Sequence, residues 1–187
     1  MRKAIVVVFA SVFLLFGAVL AMAGEKAPQK IVDLANGELA GYGTDGAIVE
    51  AVMAENGKGK TLEQIKEMDE KWKGTAGVDD GMKALMENAC AKRIKEIAAS
   101  NPYYSEIFVM DDKGANVCMT DKTSDYWQGD EAKFQKSFAD GKGQVFVDDV
   151  EFDDSSQAYL VQASVPVMDG DKAIGAITFG IDVDKVK

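Results

Sequence analysis

The chain has 187 residues, 47% of them hydrophobic and 28% charged, which fits one ordinary folded domain and excludes a disordered, collagen-like or disulfide-packed chain. Its 21 Lys and Arg against 31 Asp and Glu leave a net charge of −10, a surface that repels polyanions and argues against nucleic acid as a partner. There is no histidine, which removes Ser-His-Asp and Cys-His catalysis, histidine-ligated zinc or haem, and the usual switch near neutral pH.

Met1-Arg2-Lys3, the apolar run Ala4 to Val19 and Leu20-Ala21-Met22-Ala23 are the basic region, apolar core and Ala-x-Ala site of a secretory signal peptide, expected to be cleaved after Ala23. The alternative is an uncleaved anchor, because no charge falls between Ala4 and Gly24. Both place everything beyond Gly24 outside the inner membrane, in the periplasm. No cysteine lies near Ala23, so a lipoprotein anchor is not expected. Three regions follow: a signal peptide over 1–23, a helical region over 24–103 and a sheet over 104–187. Without the leader, 164 residues with a net charge of −12 remain, enough for a core without covalent staples. Cys90 and Cys118 then either pair, as an oxidising compartment permits, or serve as small buried hydrophobes.

From Ile31 to Glu55 the composition is helical, with an interruption at Gly41–Gly46 where Thr44 or Asp45 caps a second segment. Thr61-Leu62-Glu63-Gln64 fits a capping box, followed by Leu62, Ile65, Met68 and Trp72 at helical spacing. Asp79 or Asp80 starts a further helix with Met82, Leu85, Met86, Ala89, Cys90, Ile94 and Ile97 as one apolar stripe, ending before Pro102. Beyond Pro102 the runs are short and β-rich. Glu106–Met110, the turn Asp111–Gly114 and Asn116–Thr120 form a hairpin. Asp130–Ala139 carries Phe134 and Phe138 on one helix face. Gln144–Val150, Ala158–Val167 and Ala173–Ile181 are three further strands, with Pro166 marking an edge or a bulge. Helices followed by strands in separate blocks mean an α+β domain with a mainly antiparallel sheet. No phosphate-binding glycine motif occurs, and no cofactor or metal is expected. The Asp148-Asp149 and Asp153-Asp154 pairs lack the alternating spacing of a calcium loop and read as a solvated acidic turn.

Ile107–Asp111, Gly114, Thr123–Glu131, Val165-Pro166-Val167 and Ile174–Ile177 together resemble the single-Cache extracytoplasmic sensor domains, a PAS-like (PDC) group exported by bacteria as stand-alone periplasmic proteins. The resemblance implies N-terminal helices backing a five-stranded sheet with one inserted helix. It also implies a small ligand held between the sheet's concave face and the segment before that helix, here Thr123 to Glu131. On that segment Tyr126 and Trp127 offer apolar walls, unless they merely plug the sheet, while Ser124, Asp125 and Gln128 offer donors and acceptors. Two-residue alternation sets Asp182 on the face of Gly180, Thr178, Ala176 and Ile174, and sets Leu160, Gln162 and Ser164 on one face of their strand. In some Cache domains an aspartate near this strand end holds a ligand's ammonium group. Asp182 either does so here or is a solvated strand terminus, and Gln162 and Ser164 either bond a ligand or face water.

The arginine-rich loop with which many double-Cache receptors clamp a carboxylate is missing. Only Lys122 and Lys133 stand near Thr123–Glu131, which favours an amine or a neutral solute over a carboxylate. With no second apolar span or output region before Lys187, ligand occupancy is expected to pass to a membrane receptor or another periplasmic protein. The expected function is a non-enzymatic sensor, and the alternative is an adaptor or interaction module of the same fold with a filled pocket.

Overall fold

A computed structural model of the chain describes residues 24–154 and 156–186; the expected leader, 1–23, lies outside them. The first helix is broken, as Gly41–Gly46 implies: α1 (Gln29–Leu34) runs through a π-helical turn (Ala35–Leu39) into α2 (Ala40–Tyr42), and Asp45 caps α3 (Gly46–Asn56) by accepting from the Ala47 amide. The capping box of α4 (Leu62–Gly74) is closed from both sides: Gln64 N donates to Thr61 Oγ1 at 3.3 Å and Thr61 N to Gln64 Oε1 at 2.9 Å. Its buried face is Ile65, Asp69 and Trp72, whereas Leu62 and Met68 of the expected stripe remain 40% and 44% exposed.

The stripe read from Met82 to Ile97 as one helix is two, α5 (Asp80–Glu87) and α6 (Ala89–Ser100). Asn88 divides them because its side chain serves two backbones at once. It caps α6 through the Ala91 amide at 2.8 Å and donates to the Val117 carbonyl at 3.0 Å, holding the break against the sheet. Cys90, the second residue of α6, reaches Cys118 and the two form a disulfide across a Cα separation of 5.9 Å.

The sheet contains β1 (Tyr104–Met110), β2 (Asn116–Met119), β3 (Phe146–Asp153), β4 (Ala158–Asp169) and β5 (Lys172–Asp182), all antiparallel, in the order β2-β1-β5-β4-β3. Between β2 and β3 lies α7 (Ala132–Phe138), with Phe134 and Phe138 stacked 5.2 Å apart. One sheet face carries Val161, Ala163, Val165, Ile177, Phe179 and Ile181 against α1, α3 and α6. The other carries Phe108, Met110 and Ala176, which join Tyr126, Phe134, Ile65 and Trp72 in a smaller core.

Three local expectations change. The acidic pairs are not a turn: β3 extends to Asp153, so Asp148, Asp149 and Asp153 stand on a strand at the sheet border. Pro166 lies on an inner strand, but β3 pairs with β4 only as far as Ser164, so no neighbour on that side needs the missing amide; a register shift follows at Val167/Met168. That shift also turns Ile174 to the helical face, off the face it was expected to share with Asp182.

Both borders of the sheet are met by other segments of the chain. Along β3, Gly24 N donates to Val150 O and Val150 N to Glu25 O, each at 2.7 Å, with Lys26 Nζ 2.8 Å from Asp149. Along β2, Asn116 N donates to Tyr126 O at 3.0 Å beside an Ala115–Trp127 bridge.

At Gly175, β5 packs tightly against the end of β1 and against α3. A Cβ there would lie 2.2 Å from the Met110 carbonyl oxygen and 2.9 Å from Val52 Cγ1. Gly175→Ala is therefore expected to destabilise by about 2 kcal/mol, read as a lower urea midpoint at unchanged slope.

Candidate functional site

On the face away from α1 and α3 the side chains form rows across β1, β5 and β4. Phe108, Thr178 and Ser164 make one row, and Glu106, Gly180 and Gln162 the next. In the second row the middle residue is a glycine for a steric reason: a Cβ on Gly180 would sit 2.6 Å from Glu106 Cγ. The missing side chain lets Glu106 lie over the sheet, where Gln162 Nε2 donates to Glu106 Oε1 at 3.4 Å.

This row opens into a cavity of about 420 Å³ lined by Glu106 and Phe108, by Lys122, Thr123, Ser124 and Gln128 of the β2–α7 segment, by Lys133 of α7, Asp153 of β3 and Gln162. A hollow of about 110 Å³ adjoins it, sharing Glu106, Asp153 and Gln162 and adding Asp148, Asp149 and Glu151. The β3 side is thus strongly acidic. The two nearby lysines are already engaged: Lys133 Nζ lies 2.8 Å from Glu131 and 5.5 Å from the Phe108 ring centre, and Lys122 Nζ donates to the carbonyls of Thr75 and Gly77 at 2.8 and 2.9 Å. Burial pushes the Glu106 carboxyl above the usual carboxylate range, Asp153 and Asp121 add to the rise, and Lys133 and the Gln162 amide oppose it. The site presents a carboxylate with weak internal partners to a partly enclosed space. A cation entering there restores the stabilisation that water no longer supplies.

Of the residues singled out from sequence, Ser124, Gln128 and Gln162 meet at this cavity. Ser164 lies beneath it, fully buried and hydrogen-bonded to Thr178 at 2.8 Å. Asp182 is one row beyond, where it accepts from the Asp184 amide at 3.1 Å and pairs with Lys185 at 2.8 Å; it is buried, not solvated. Asp125 takes Ser124 Oγ at 2.6 Å and Lys73 Nζ at 3.0 Å. Although burial alone would raise its carboxyl, these two partners hold it below the usual range.

Tyr126 and Trp127 do not line the cavity. Asp69, buried on α4, accepts both their amides at 2.8 and 3.0 Å and so turns the segment. Tyr126 consequently drops into the smaller core beside Trp72. Trp127 donates to the Lys113 carbonyl at 2.8 Å and seats against Gly129.

The sequence reading missed Glu106. The signal for it is a carboxylate inside the apolar run Tyr104–Met110, on the side of the strand that also carries Phe108 and Met110. Its glycine partner on β5 is visible only once the strands are paired.

No protein-family model matches the sequence, and no curated protein matches it. Among solved structures, the chain is similar to the sensor domain of the V. cholerae histidine kinase DctB, at 13% identity over 84% of this chain and 52% of that one, with a TM-score of 0.47. It is also similar to the ligand-binding domain of the Campylobacter jejuni chemoreceptor Tlp3 with 4-methylisoleucine, at 11% identity over 86% and 63% and a TM-score of 0.42. A third is the ligand-binding domain of the Pseudomonas aeruginosa amino acid chemoreceptor PctC in complex with GABA, at 11% identity over 83% and 63% and a TM-score of 0.40. The chain therefore spans between half and two thirds of the length of these structures. Its own topology is N-terminal helices, strand order β2-β1-β5-β4-β3 and one helix inserted after β2. This is the arrangement that the sequence resemblance implies. The cavity lies between the sheet and the segment before the inserted helix, on the sheet face opposite α1, α3 and α6. Among the described residues no helix is long and apolar enough to cross a membrane, and no group of three acidic or cysteine side chains is gathered to hold a metal ion.

Proposed function

We propose that this chain is an extracytoplasmic, non-enzymatic sensor module that encloses a small molecule bearing an ammonium group and passes its occupancy to a partner protein. The observation that carries the reading is the Glu106–Gly180–Gln162 row. A glycine is placed so that a half-buried carboxylate projects into a cavity of about 420 Å³ whose β3 side is acidic. Glu106 is the ammonium acceptor, with Gln162, Ser124 and Gln128 orienting the rest of the ligand. A carboxylate on the same ligand finds no arginine and only the already engaged Lys122 and Lys133, which favours amines over dicarboxylates. Phe108 forms an apolar patch against which an alkyl or aromatic portion packs. The unfilled volume favours this reading over an adaptor with a closed core.

The test is a thermal-shift screen of purified protein with primary amines, amino acids, dicarboxylates and neutral solutes. A rise in the melting midpoint is expected with members of the amine set. A rise with dicarboxylates alone would reject the proposed ligand class, and no rise with any class would reject the sensor.

A further inference from the structure

The segment that walls the first cavity has a second side. Behind it, between α4 and α5, lies a separate hollow of about 220 Å³ lined in part by Tyr126. Its walls are apolar: Met68 and Trp72 from α4, Met82 and Leu85 from α5, and the Tyr126 ring. Around them stand Lys58, Lys60 and Lys71. The carboxylates present are committed. Glu55 is shared between Lys58, at 2.6 Å, and Lys60, and Asp79 caps α5 through the Met82 amide at 2.9 Å. Lys71 has no carboxylate partner among the described residues. Three cations against two spoken-for carboxylates make this a positive site on a chain whose net charge is −10.

The tyrosine points to the same chemistry. Tyr126 is 2% exposed, and its hydroxyl accepts from Lys60 Nζ at 2.9 Å. The phenolic proton itself meets no acceptor among the described residues. A buried hydroxyl donor without an acceptor is costly, and here it belongs to a residue that lines an open hollow. The unused polar capacity is donor capacity: the Tyr126 O–H and the Lys71 ammonium group. What completes the site is an anionic acceptor carried on an apolar body. As for size, an apolar cavity of about 150 Å³ holds benzene, so this hollow takes one ring with a short acidic arm.

We propose that the hollow between α4 and α5 is a second small-molecule site, taking a single-ring or similarly sized apolar carboxylate whose acid group meets Tyr126, Lys60 and Lys71. It differs from the first cavity in charge, in lining residues and in ligand class, and it does not depend on the amine reading.

The experiment is a calorimetric titration of purified protein with phenylacetate. Saturable one-to-one binding is expected. Leu85→Trp, which fills the hollow, and Lys71→Glu, which reverses the charge at its mouth, are each expected to weaken binding about tenfold or more. Glu106→Gln, in the other cavity, is expected to leave phenylacetate affinity unchanged. Should Leu85→Trp not fold, Lys71→Glu carries the test, because that side chain is exposed. No saturable heat up to about 10 mM, the limit expected for a ligand of this size, would overturn the proposal. Unweakened binding by the Leu85→Trp or Lys71→Glu variant would also overturn it, as would binding abolished by Glu106→Gln.

Discussion

Glu106→Gln is expected to lower affinity for the amine that gives the largest thermal shift by at least about 30-fold, the consequence of removing one partner of a desolvated charge pair worth roughly 2–5 kcal/mol. The fold itself is not expected to suffer. The carboxylate is held above its ordinary pKa by burial, so its charged form is a burden to the empty protein, and a neutral amide of the same shape relieves it. Loss of binding without loss of melting temperature distinguishes a ligand acceptor from a structural residue. The pH dependence has a definite sign. A carboxyl whose folded-state pKa is raised takes up its proton more readily folded than unfolded, so the empty protein gains stability as pH falls through the raised value and forfeits it above. Binding of an ammonium group runs the other way, since it needs the ionised carboxylate, and affinity falls on acidification at a pH above the usual carboxylate range. The charged groups acting on Glu106 are Lys133, Asp153 and Asp121, and each shifts that midpoint when neutralised. Calorimetric titration across the range, with Glu106→Gln as the flat control, measures it.

The second large effect concerns Cys90–Cys118. A crosslink spanning 28 positions removes enough freedom from the unfolded chain to stabilise by about 3.5 kcal/mol in the chain-entropy treatment. Reduction, or the Cys90→Ala/Cys118→Ala double variant, is expected to lower the melting midpoint by roughly 10 °C in differential scanning calorimetry. An unchanged midpoint after complete reduction would show that the bridge contributes nothing. The bridge sits where Asn88 also ties the start of α6 to Val117, so these two attachments are close neighbours, and their effects are not expected to be additive.

Much of the architecture was legible because it rests on local rules. The capping box at Thr61 and Gln64, the interruption before Asp45, the turn Asp111–Gly114 and the alternation along β4 and β5 each express short-range sterics or hydrogen bonding, and each is present in the structure. Where the reading failed, a distant partner decided. Asn88 splits a continuous apolar stripe because it finds the Val117 carbonyl 29 positions away. Ile174 changes face because of a register shift set by β4. In the candidate site, Gln162 was recognisable, with Ser164, as a polar residue on one face of an apolar β run. For Tyr126 and Trp127 the sequence left cavity wall and plug both open, since a loop has no periodicity from which to read direction; the turn that takes them away from this cavity is imposed by Asp69, 57 and 58 positions earlier. Glu106 was passed over because its neighbours in the run are apolar, and its meaning depends on facing a glycine on another strand.

The two border contacts described for the sheet have a bearing on self-association. A β-sheet is ordinarily vulnerable at its outermost strands, whose unpaired amides and carbonyls template the addition of a foreign strand. Here Gly24 and Glu25 occupy the N–H and C=O of Val150, and Tyr126 accepts the amide of Asn116, so the chain itself pairs part of each border from which fibril growth or strand exchange would start. Either process would first have to peel away one of these short clips, and the clip on β2 belongs to the same stretch that separates the two hollows.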